Sequence, residues 1–84
     1  MSKLFKEAIS LRVEEGVQHE PTTFLYKGRR EGVGETLKQW RVIQGWWRKP
    51  VEREYFQVRT ESGAICDLYR NLLTGDWFLQ RIYD

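Results

Sequence analysis

The sequence predicts an all-β fold, a small and strongly bent antiparallel sheet or barrel of about six strands. Two observations carry this. Ile9, Leu11 and Val13 alternate with polar neighbours, as do Phe56 and Val58 and the residues from Ala64 to Arg70, which is the period of a strand with one buried face. Turn signals separate these runs at Glu15-Gly16, Lys27-Gly28, Glu61-Ser62-Gly63 and Thr74-Gly75-Asp76. About six short strands are too few for two broad sheets, so the sheet must curl, with Gly32, Gly34 and Gly45 as its bending points.

Taken in order, the first strand is expected over residues 8–14, and Gln18-His19-Glu20-Pro21 reads as a polar loop closed by proline. Residues 1–8 have room for a short helical turn that would lay Leu4 and Phe5 over the barrel as a covering segment. Thr22 to Tyr26 is rich in β-branched and aromatic residues and forms the second strand. Lys27-Gly28 suits a two-residue hairpin turn into Arg29-Arg30-Glu31. Residues 35–43 are ambiguous, because Leu37, Trp40 and Val42 fit neither period. Strand is preferred there: Trp40, Val42 and Ile43 favour extended backbone, and the helical window is too short to stand alone. Gly45 to Pro50 reads as a loop or strand edge. The last third is an antiparallel meander ending in Trp77 to Tyr83. Strict alternation in that strand puts Trp77, Leu79, Arg81 and Tyr83 on one side and Phe78, Gln80 and Ile82 on the other, leaving both faces substantially apolar.

A length of 84 residues allows a single domain, 1–84. Aromatic residues make up 14% of it, enough bulky surface to offset the ordering entropy that keeps polar chains disordered. Cys66 is the sole cysteine, so no internal disulfide can form, which favours a reducing compartment. With no long apolar run and no leader-like N-terminus, a cytoplasmic protein without a membrane partner is expected. The net charge of +2 is unevenly laid out. Residues 27–59 carry nine Lys or Arg against four Glu, a balance of +5, between flanks of −1 and −2.

An enzyme needs a nucleophile or base with partners, and the candidates here are isolated. His19 and Cys66 are single, so no metal site within one chain and no cofactor is expected. Cys66 shares strand parity with Ala64 and Leu68 and reads as a small core residue, the alternative being a reactive thiol. Glu14 and Glu15 are adjacent and would point to opposite faces of a strand, which prevents paired acid–base work. No glycine is followed by the Lys-Ser or Lys-Thr pair of a phosphate loop. A non-enzymatic protein is the expectation.

The basic segment with interleaved aromatics stands above this background. Phe56 and Val58 read as buried, which turns Tyr55, Gln57 and Arg59 outward, and the consecutive Trp46 and Trp47 cannot both point inward on an extended segment. Tryptophan with arginine is the composition of protein-interface anchors. Rings among cations are also how small barrels hold single-stranded nucleic acid. The same residues would serve a thin core equally well, with arginine covering ring edges. The candidate contact residues are therefore Lys27, Arg29, Arg30, Trp46, Trp47, Arg53, Tyr55 and Arg59, for a protein partner or, alternatively, a single nucleic-acid strand. A monomer or a weak homodimer is expected.

The blocks Phe24-Leu25-Tyr26-Lys27-Gly28-Arg29-Arg30, Trp40-Arg41, Trp46-Trp47, Arg53 to Val58, Leu68-Tyr69-Arg70 and Leu73-Thr74-Gly75-Asp76-Trp77-Phe78-Leu79-Gln80-Arg81-Ile82-Tyr83-Asp84 resemble a small bacterial domain-of-unknown-function family. The resemblance runs from about residue 22 to the C-terminus and is most specific in its last block. Members of the family it resembles are sometimes associated with Y-family translesion polymerase-like proteins of the SOS response. The resemblance thus implies a cytoplasmic, non-enzymatic accessory role around DNA repair, and it brings no catalytic or binding residues with it. Glu31-Gly32 stands where members often carry a further aromatic after the Gly-Arg-Arg turn.

Overall fold

A computed structural model describes the backbone over residues 3–45 and 50–83, with side chains described from residue 8 onward within those ranges. Six strands follow one another: β1 (Lys3–Glu15), β2 (Pro21–Tyr26), β3 (Arg29–Gln44), β4 (Val51–Thr60), β5 (Ile65–Asn71) and β6 (Trp77–Tyr83). Each pairs antiparallel with the next, and β6 returns to β1, closing the expected barrel. Closure removes the free edges that an open sheet of this size would present over most of its length.

Two details depart from the sequence reading, and the ambiguous stretch takes the conformation preferred for it. No helical turn forms over the described part of residues 1–8: the backbone is strand from Lys3, and Lys3 and Leu4 pair with Ile82 and Arg81. Pairing there satisfies ladder groups that β6 would otherwise leave open. The ambiguous residues 35–43 are strand, continuous with Arg29-Arg30-Glu31 in the long β3. Their confused period has a cause, since extra residues at Gly34 and Leu37 shift the β3–β4 register. Each extra residue flips every later side chain to the other face. A third bulge, at Gln80, changes the last strand: Leu79 faces Leu68 but Arg81 faces Asp67. Ile82 therefore joins Trp77 and Leu79 against the interior, while Phe78, Arg81 and Tyr83 face out, correcting the strict alternation.

The interior is filled by Phe24, Phe56, Val58, Cys66, Leu68, Trp77 and Leu79, with Ile9, Leu11, Val13 and Ile82 packed around them. Burying each of these large side chains contributes about 1.5–3 kcal/mol. The β2–β3 connection is the anticipated two-residue turn, with Tyr26 opposite Arg29 and positive φ at both Lys27 (51°) and Gly28 (75°). That turn type matches the right-handed strand twist but places a lysine where its Cβ is crowded.

Candidate interaction surface

On the outer face of the barrel the registers align four rings. Trp40 of β3 lies opposite Tyr55 of β4, Tyr55 opposite Tyr69 of β5, and Tyr69 opposite Phe78 of β6. Successive centroids are 5.2, 5.1 and 5.0 Å apart, and the Trp40 and Tyr55 planes are within 4° of parallel. Directly opposed side chains on one face approach this closely, and aromatic pairs gain beyond their buried area. The Arg53 guanidinium lies 4.5 Å from the Tyr69 ring centre and donates to the Tyr55 hydroxyl at 3.2 Å. Tyr69 is consequently only 6% exposed although it faces away from the core. Burial pushes its phenol pKa up, against the pull of Arg53 and with a further push from Tyr55. Trp40, at the end of the row, is 39% exposed.

A polar row runs beside the rings: Lys38, Gln57, Asp67 and Arg81 oppose one another across β3 to β6. Asp67 is 8% exposed and accepts hydrogen bonds from Gln57 Nε2 at 3.2 Å and the Tyr83 hydroxyl at 2.8 Å. Arg59 is held by Glu35 at 2.7 Å. Lys38 and Arg53 have no carboxylate partner among the described residues. They leave this face positively charged around the ring row.

The exposed end of the row coincides with a gap in strand pairing. β2 accompanies β3 from Arg29 to Gly32, whereas Glu35 to Gln44 pair with β4 alone. Among the described residues, no backbone group hydrogen-bonds to the other edge of this stretch. Trp40 sits in the middle of it, with one ring face against Tyr55 and the other turned toward the open edge.

The structure gathers some of the sequence candidates and separates others. Arg53 and Tyr55 meet in the ring row, with Arg59 farther along the same outer face. Lys27 and Arg29 lie instead at the mouth of the barrel, on the rim of a cavity of about 290 Å³ floored by Phe24, Leu79 and Ile82. Glu31 reaches the same cavity and accepts from the Ser62 hydroxyl at 3.3 Å. Arg30 faces outward beside Leu25, which separates it from Arg12, and is paired with Glu14 at 2.6 Å. Trp46 and Trp47 lie outside the described residues. Trp40, Tyr69, Phe78 and Lys38 were missing from the candidate set. Their alignment is readable only once the registers of three successive hairpins are known.

Cys66 is buried in the cavity wall, and burial first, then the nearby Glu31 and Asp67 charges, push its thiol up to about 11. Such a thiol stays protonated and unreactive at neutral pH. At the opposite end, Glu15 accepts from the Trp77 indole at 3.1 Å, lies 3.0 Å from His19 Nδ1 and 3.7 Å from Arg70. Burial raises the Glu15 carboxyl, but these partners together outweigh it and hold it below its ordinary value. Among the described residues, no cluster of His, Cys, Asp and Glu could hold a metal ion.

A family model described as a domain of unknown function, DUF6504, matches residues 1–84. The chain belongs to that family. The match takes in the N-terminal strand as well as the blocks from residue 22 onward, so the DUF6504 unit is the whole six-strand barrel. No curated protein and no solved structure matches this DUF6504 domain.

Proposed function

We propose that this DUF6504 domain is a non-enzymatic, cytoplasmic protein-interaction module of bacterial origin, an accessory of DNA repair whose partner is a Y-family translesion polymerase-like protein. Its contact surface is the outer face of β3 and β4, with Trp40, Tyr55 and Arg53 at the centre and Arg59 at the margin. The observation that carries this reading is the half-open end of the ring row: an exposed tryptophan braced from behind by Tyr55, Tyr69 and Phe78, beside two cations without carboxylate partners among the described residues. A ring held in place before contact loses little freedom on binding, which is the character of an interface anchor. The repair context rests on the family resemblance of the sequence blocks.

Binding of single-stranded nucleic acid is less well supported. Bases need free ring faces to stack on, and the internal faces of this row are taken by neighbouring rings. The basic segment is also dispersed, with Arg30 and Arg59 tied to carboxylates and Lys27 and Arg29 at the barrel mouth. Calorimetric titration of the full chain with the purified polymerase-like protein tests the proposal. Binding that is lost in Trp40→Ala and Arg53→Ala is expected, and absence of binding by the wild-type chain would refute it. A parallel anisotropy titration with a labelled oligonucleotide at two salt concentrations should give no binding; steeply salt-dependent binding would favour nucleic acid instead.

A further inference from the structure

Resting on that interaction reading, we infer that the open edge of β3 takes up one extended segment of the partner as an additional antiparallel strand, with an aromatic side chain of that segment stacked on the face of Trp40 turned away from Tyr55. Lys38 to Gln44 form a bulge-free run whose inner edge is fully engaged by Gln57 to Val51 of β4. Its outer edge has no backbone partner among the described residues. Unpaired ladder groups along such a run are a template for a further strand, and edges without that use are ordinarily shortened, covered or interrupted by proline. Lys38–Gln44 contains no proline and no bulge.

The side chains of the edge specify the incoming strand. Lys38, Trp40 and Val42 share the outer face, opposite Gln57, Tyr55 and Arg53. A strand added here places its own alternate residues beside these three. An aromatic beside Trp40 extends the ring row by one member, an acidic residue beside Lys38 supplies its missing carboxylate, and an apolar residue beside Val42 covers that half-buried side chain. Every ladder in the barrel is antiparallel, the slightly stronger pairing, so the segment reads apolar, any, aromatic, any, acidic from its N-terminus. A second copy of this chain fits poorly. Pairing β3 with β3 about Trp40 would crowd Lys38 and Arg53 of both molecules around the two indoles with no added acid on that face.

Short synthetic peptides test this on the unmodified full chain. The parent peptide carries valine, tryptophan and glutamate at alternate positions separated by threonines. Two isomers bear N-methyl groups on alternate amides, one set on each edge of the extended strand. Backbone amide shifts and hydrogen exchange of residues 35–44 are the readouts. Strand addition predicts that the parent and one isomer slow exchange along β3, while the other isomer binds at least about tenfold more weakly. Moving the tryptophan by one position should weaken binding up to about tenfold. Equal binding of both isomers, no response at millimolar peptide, or the same protection arising from self-association of the chain would each overturn the inference. If the peptides fail while the polymerase-like protein still binds in a Trp40-dependent manner, the interaction reading stands and only strand addition falls.

Discussion

The inner and outer faces of β4, β5 and β6 are built from the same three strands and solve different problems. Inside, Phe56, Leu68 and Leu79 stand side by side on adjacent strands, each almost fully buried. Outside, Tyr55, Tyr69 and Phe78 are also packed ring to ring, yet among the described residues their row stops at Trp40. Closure makes the inner cluster complete within one chain. The outer row is finished at one end only, because β3 outruns β2. A dry patch on an outer face does not by itself mark a core; what separates the two is whether the packing ends inside the molecule.

Substitutions on the two faces should separate them. The largest effect is expected at the centre of the inner face, where Leu68→Ala should lower the unfolding free energy by about 2–5 kcal/mol in denaturant titrations. Alkali should act on the same face through Cys66. A thiol raised from an ordinary value near 9 to about 11 contributes stability that is complete below pH 9 and lost as the pH climbs through 11. The wild type should therefore lose up to about 2–3 kcal/mol across that range relative to Cys66→Ala. Parallel curves for the two proteins would mean that the thiol ionises freely and that the inner face is wetter than its packing implies.

On the outer face, Tyr69→Ala should cost about 2 kcal/mol, since water can fill the space that a core cavity would leave empty. A loss equal to that of Leu68→Ala would make the outer row a second core and erase the distinction. Asp67→Asn should cost about 1 kcal/mol by weakening the bonds from Gln57 and Tyr83. Trp40→Ala should have the smallest effect on unfolding, below about 1 kcal/mol, while abolishing partner binding. If Trp40→Ala unfolds the protein, the end of the row is structural and the contrast with the inner face fails.

Much of the inner face is legible in the sequence. Ile9, Leu11 and Val13, and again Phe56 and Val58, alternate because one strand face is buried, and Lys27-Gly28 announces a turn that needs positive φ. The outer face was read only in part. Tyr55 and Arg53 are visible as outward residues of one strand, but their partners Trp40, Tyr69 and Phe78 lie on three other strands. The bulges at Gly34, Leu37 and Gln80 hide the parity further, since an extra residue leaves local propensity unchanged and reverses the face of all that follows. The basic segment misleads in the opposite way: its cations are contiguous along the chain, yet Lys27 and Arg29, Arg30, and Arg53 end in three separate surroundings.

An all-β chain of about six strands, its turns and most of its core follow from the amino-acid sequence alone, because these depend on side-chain period and on backbone preferences within a few residues. Register across strands, the continuous ring row and the stretch of β3 paired on one edge only belong to the tertiary structure. They depend on how far each strand runs relative to its neighbours, which is settled by pairing between residues distant in the chain.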